Sequence, residues 1–170
     1  MNCVGCCSRY NAVTVRHSPQ RPAAMPRFAR LFEAAEDILD AYREALRRRD
    51  ADSALKLWLD EDSVSFILPD GQRLHGHEQL RGCLDALVEK QPVWIECLDQ
   101  QVHSSLGVSI FEATEALRFS EDATEASLYV HTTYVLMQNH EGWRIAHVHS
   151  SQAAEERVAA SIASVAHSLH

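Results

Sequence analysis

From Leu31 onward apolar side chains return every three or four positions. Leu31, Ala35, Ile38, Tyr42 and Leu46 form one stripe, the signature of an amphipathic helix. Arg47, Arg48 and Arg49 fall in its last turn, where cations complement the carbonyl end of the helix dipole. Asp50 or Asp52 is placed to cap a second short helix carrying Ala54, Leu55 and Trp58. Val64–Leu68, rich in branched and aromatic residues, reads as a short strand, and Pro69-Asp70-Gly71 as the turn after it. A brief strand near Arg73–His75 precedes a third helix marked by Leu80, Leu84 and Leu87 and closed by Pro92.

Beyond Pro92 the period changes to two. Four runs alternate: Val93–Ser104, Val108–Phe119, Ser127–Met137 and Trp143–Ser150. Short connections around Gly107, Ser120–Thr124 and Asn139–Gly142 make consecutive runs antiparallel neighbours. From about Gln152 the stripe Val158, Ile162, Val165, Leu169 predicts a last helix. The order predicts an α+β fold, with helices packed on one face of a curved antiparallel sheet that bends around a cone-shaped cavity.

Composition narrows the function classes. The 170 residues suffice for one domain with its own core. Net charge is −8, so nucleic acid is not the expected partner, and no apolar run is long enough to span a membrane. The charge is uneven. Residues 1–30 hold five arginines and no acid, which leaves 11 basic and 24 acidic groups in residues 31–170, a net of −13.

Residues 1–27 match the rest poorly. They carry Cys3, Cys6, Cys7 and three prolines, without periodicity or an apolar signal core. Three readings apply: an organelle transit peptide, a partial cysteine metal site, or an early start codon with Met25 as the true start. The last is favoured, because Met25 directly precedes the periodic segment; otherwise the stretch is expected to be disordered. Cys83 and Cys97 are then the domain's only thiols, which suggests a reducing, cytoplasmic setting. Arginine outnumbers lysine 14 to 2, which points to a GC-rich bacterial genome.

Several local patterns add up to a family resemblance over about residues 34–151. Ile38–Asp52, ILDAYREALRRRDAD, is similar to the opening helix of the NTF2-like superfamily in its SnoaL-like branch. Trp58–Val64 (WLDEDSV), Gly71–Leu80 (GQRLHGHEQL) and Tyr134–Ser151 (YVLMQNHEGWRIAHVHSS) resemble its second helix, its entry to the third helix and its last hairpin. The last of these also resembles the association (hub) domain of calmodulin-dependent kinase II, with its Trp followed by His-x-His-x-Ser. The resemblance implies an NTF2-like cone at residues 28–151, extended by a C-terminal helix at 152–170. It leaves function open, because the fold hosts isomerases, dehydratases, cyclases, adaptors and hubs.

Candidate chemistry starts on the last strand. Strict alternation puts Trp143, Ile145, His147 and His149 on one face, with His147 and His149 as proton donors or acceptors near neutral pH. The plainer alternative is that both hydrogen-bond neighbours and fix the hairpin. His131 lies on the preceding strand; with His147 and His149 it could form a metal site, but the carboxylate spacing does not fit one and no metal is expected.

Tyr42 matches by position the oxyanion-donor tyrosine of the superfamily's ketosteroid isomerases. The positions implied for that site's general base and second acid hold Phe66 and Thr132, which disfavours that mechanism. Trp58, Phe66, Trp94, Phe111 and Tyr129, with His131, are the candidate lining of an apolar pocket; for each, plain core packing is the alternative. The domain lacks a Gly-rich phosphate loop, a Cys-x-x-Cys pair and a nucleophile elbow, so no cofactor is expected.

Two functions follow. The first is a homodimer, formed through the sheet, that binds a small, largely apolar molecule in the cone, with His-based acid/base turnover of isomerase, dehydratase or cyclase type. The alternative is a non-catalytic oligomerisation or adaptor module.

Overall fold

Helix α1 (Ala35–Arg47) turns Ala35, Ile38, Leu39, Tyr42, Ala45 and Leu46 inward. In this computed structural model, which describes residues 34–155 and 158–159, that stripe is the floor of the core. Ile38 and Leu39 are wholly buried, each contributing about 1.5–3 kcal/mol by removal from water. Arg49 adopts a positive φ of 60° after the helix. Its guanidinium donates to the Val88 and Glu89 carbonyls at 2.6 and 2.5 Å, tying the end of α1 to the end of helix α3 (Gly76–Lys90). The cap of α2 (Ala51–Leu55) is Asp50, whose carboxylate accepts from the Ser53 N–H at 2.9 Å.

Strands β1 (Ser65–Ile67) and β2 (Arg73–His75) form the expected pair, and α3 (Gly76–Lys90) follows. The four long strands are β3 (Trp94–Ser105), β4 (Val108–Arg118), β5 (Leu128–Asn139) and β6 (Gly142–Ala153). Together the six make one curved, unclosed sheet in the order β2-β1-β6-β5-β4-β3. All neighbours are antiparallel except β1 and β6. The helices pack on the concave face, so the fold is α+β, as the element order predicts. The sixth strand runs through Ala153, past the expected start of the closing helix. Most of that helix, and residues 1–33, lie outside the described residues. Cys83 and Cys97 are both free thiols. Among the described residues no helix is long and apolar enough to cross a membrane.

Two irregularities decide which side chains reach the interior. The β5–β6 register shifts between Val135 and Leu136, so Leu136 pairs with Ile145 whereas Val135 pairs with His147. Ala146 is the extra residue of a bulge, and it inverts the alternation beyond it. Ile145, Val148 and Ser150 therefore face the concave side, and His147 and His149 the convex side. This corrects the face grouping that strict period two gives. A second shift between Cys97 and Asp99 does the same on β3 around Leu98.

Candidate functional site

The concave face and helix α1 enclose a cavity of about 310 Å³. Its wall is mostly aliphatic and aromatic, with Leu46, Phe66, Leu87, Ile95 and Val130 among the lining. Polar groups enter at few points: Tyr42 from α1, Glu115 from β4, Thr132 and Tyr134 from β5, Ser150 from β6, and Asp70 from the β1–β2 turn.

Glu115 is the outstanding group. Its side chain is almost fully buried, at 2% exposure. A buried carboxylate needs compensation, and two residues supply it. Arg43 Nη2 donates to Oε1 at 2.8 Å. The Tyr134 hydroxyl donates to Oε2 at 2.9 Å and to Oε1 at 3.1 Å. Arg43 also stacks 5.9 Å above the Tyr134 ring, and its Nε is buried without a partner among the described residues. Burial, then the Glu115 charge, pushes the Tyr134 phenol well above its ordinary pKa, so it remains a neutral donor. Burial does the same to Tyr42, reinforced by Cys83 and Glu115. The Thr132 and Ser150 hydroxyls meet at 3.1 Å on adjacent strands, a second polar spot in the wall.

The sequence-derived candidates divide. Tyr42 and Phe66 line the cavity, as do Thr132 and Val148. Trp58 stands behind them, with ring centroids 6.2 Å from Tyr42 and 6.0 Å from Phe66. Phe111 is buried on the concave face, away from the cavity lining. Trp94 lies half-buried beneath Arg47, whose guanidinium sits 5.0 Å from the ring centroid. Tyr129 lines a separate groove on the convex face. His131 is exposed there, its Nδ1 3.2 Å from Thr114 Oγ1. His147 Nδ1 lies 2.7 Å from Ser65 Oγ, and neither His147 nor His149 lines the cavity. Among the described residues no three His, Cys, Asp or Glu side chains converge as metal ligands.

Glu115, Arg43 and Tyr134 are the residues that the sequence reading passed over. A signal for Glu115 existed. Ser109, Phe111, Ala113, Glu115 and Leu117 share one parity of β4, so an acid interrupts the apolar face. Arg43 gave no signal, because its partner lies 72 positions away.

A model of the SnoaL-like domain family matches residues 35–155. No curated protein matches the sequence. Among solved structures the chain is similar to a Streptomyces avermitilis protein of the NTF2-like family assigned as a dehydratase, with 18% identity and a TM-score of 0.64, over 73% of this chain and 96% of that one. It is similar also to an assigned calcium/calmodulin-dependent protein kinase type II association domain from Thiobacillus denitrificans, at 20% identity and TM-score 0.60, over 70% and 94%. A Caulobacter vibrioides protein with a cystatin-like fold matches at 13% identity and TM-score 0.63, over 76% and 94%. At these identities the likeness is one of fold.

Proposed function

The chain belongs to the SnoaL-like domain family, and from that premise we propose that it binds a small, largely apolar molecule in the cone and exchanges a proton with it through Glu115. The observation that carries this reading is the Glu115 carboxylate in an apolar cavity, held by Arg43 and Tyr134. Oε2 accepts only from Tyr134 among the described residues, which leaves acceptor capacity toward a ligand. Such a carboxylate is a general base. It takes a proton from an acidic C–H or hydroxyl, the first step shared by isomerisation, dehydration and cyclisation; in an isomerisation it then returns that proton to another atom of the same molecule. Tyr42, which also lines the cavity, donates to the oxygen on which charge then develops. This reading moves the acid/base role from His147 and His149 to Glu115, because the two histidines face away from the cavity. A second copy of the chain covers the convex face, and the free thiols of Cys83 and Cys97 fit a reducing compartment such as the cytoplasm.

2-Tetralone, a bicyclic apolar ketone with acidic α-hydrogens, tests the proposal. In D2O the protein should speed deuterium incorporation at the α-carbon, as read by NMR. Glu115→Gln should abolish that exchange while still taking up 2-naphthol, as read by fluorescence. Exchange no faster than in buffer would remove the acid/base role. Absence of saturable uptake of either probe would remove the binding role as well.

A further inference from the structure

Two hydroxyls on adjacent strands stand in the cavity wall with one hydrogen left over. Thr132 pairs in register with Ser150 on one side and Ala113 on the other. Both residues line the cavity, and they are only 2% and 8% exposed, so water does not satisfy them from outside. Thr132 Oγ1 and Ser150 Oγ lie 3.1 Å apart. Each hydroxyl carries one hydrogen, and the bond between them uses one of the two. Among the described residues neither oxygen has another hydrogen-bond partner, so one buried donor stays open. Buried donors are rarely left so, and the space that these side chains face is the cavity.

The charges around the cavity decide what can meet that donor. Glu115 lines it inside and Asp70 at the β1–β2 turn, and among the described residues no Lys, Arg or His lines it. Arg43 is taken up by Glu115 at 2.8 Å and Asp40 at 3.5 Å. Asp70 accepts from the Gln72 N–H at 2.9 Å. A carboxylate or phosphate brought into this space would meet two acids within an apolar wall and no free cation. The oxygen of a hydroxyl or carbonyl meets the open donor without that cost.

Register gives the spacing. Glu115 pairs with Val130, the neighbour of Thr132 on the concave face of β5, and Ser150 lies one strand further, on β6. With neighbouring strands about 5 Å apart, the hydroxyl pair stands roughly 5–10 Å from the carboxylate, the span of a fused bicyclic skeleton. Resting on the binding role proposed above, we infer that the ligand is an uncharged carbonyl compound with a second oxygen, a hydroxyl or carbonyl, received by the Thr132–Ser150 pair while Glu115 and Tyr42 address the first. The pair takes no part in the proton transfer. It determines specificity, by selecting doubly oxygenated ligands and fixing which end of the molecule meets Glu115.

Fluorescence titration with three naphthalenes at neutral pH tests the inference. Wild type should bind 2,6-dihydroxynaphthalene about tenfold more tightly than 2-naphthol, because the second hydroxyl satisfies the open donor. It should bind the anion 2-naphthoate at least tenfold more weakly than 2-naphthol. Thr132→Val with Ser150→Ala removes both hydroxyls together and strands neither, so circular dichroism melting should stay close to wild type. That double variant should bind 2-naphthol as wild type does and lose the preference for the diol. A diol bound no more tightly than 2-naphthol by wild type, a result that needs no variant, would overturn the second-oxygen site and leave the binding role standing. So would a preference that survives in the double variant. 2-Naphthoate bound as well as 2-naphthol would overturn the uncharged ligand. Uptake of none of the three would overturn the inference together with the binding role beneath it.

Discussion

The Tyr134 hydroxyl reaches diagonally from β5 to β4 and donates to both oxygens of Glu115, at 2.9 and 3.1 Å. Tyr134 pairs in register with Phe111, and Glu115 with Val130, so the contact spans four residues of offset along the concave face. It fixes which way the carboxylate points. Tyr134→Phe removes one hydrogen bond to a charged acceptor and should cost about 1.5–3 kcal/mol in urea unfolding. Deuterium exchange into 2-tetralone should also fall, because Glu115 is then free to turn. A variant with wild-type stability and wild-type exchange would show that the phenol does not position the carboxylate.

Arg43 and Glu115 act as a unit. Glu115→Gln leaves the largely buried Arg43 guanidinium with only the exposed Asp40 carboxylate, 3.5 Å away, and Arg43→Met leaves a buried carboxylate held only by Tyr134. Each should cost about 3–5 kcal/mol. The double change should cost much less than the sum, because it removes both charges together. Denaturant midpoints of the four proteins give the coupling directly; additive losses would mean that the two groups do not share an ion pair.

Thr132 and Ser150 follow the same logic at a smaller scale. Their hydroxyls lie 3.1 Å apart and both residues are buried. Thr132→Val should cost about 1–3 kcal/mol by stranding the Ser150 hydroxyl. Adding Ser150→Ala should restore most of the loss, as read from the same unfolding curves. A double variant less stable than the single one would contradict the pairing.

Most of the architecture was legible in the sequence, because each element announced itself by period. The α1 stripe Ala35, Ile38, Tyr42, Leu46 is buried where the spacing puts it, and the switch to period two after Pro92 marks the start of the four long strands. The site was less legible, for two reasons. A bulge is one extra residue with no compositional signature, and Ala146 alone moves His147 and His149 from the cavity side to the outside. The braced carboxylate depends on tertiary proximity. Arg43, Glu115 and Tyr134 come from three elements, and only their convergence gives Glu115 a role beyond that of a misplaced acid. Tyr42 was found through the family resemblance and Phe66 as one of the aromatics expected around an apolar pocket, and both line the cavity.

His147 makes acid stability a test of its surroundings. Burial, then the neighbouring His149 and Arg73, holds its pKa below the ordinary 6.5, and the contact with Ser65 opposes the shift only in part. The unfolded chain therefore binds this proton before the folded one does. Above pH 6.5 the contribution to stability is complete; as pH falls through 6.5 toward the lower folded value, it is progressively lost. Replacement of the ring by His147→Gln keeps a group able to hydrogen-bond Ser65 Oγ and removes the titration. Thermal unfolding between pH 7.5 and 5 should show the wild type losing more stability than His147→Gln, with the two curves converging in slope above pH 7. Comparing the two proteins cancels the histidines remote from His147. Equal slopes throughout would mean that the imidazole titrates as it does in water, and the Ser65–His147 contact would then carry no linkage to folding.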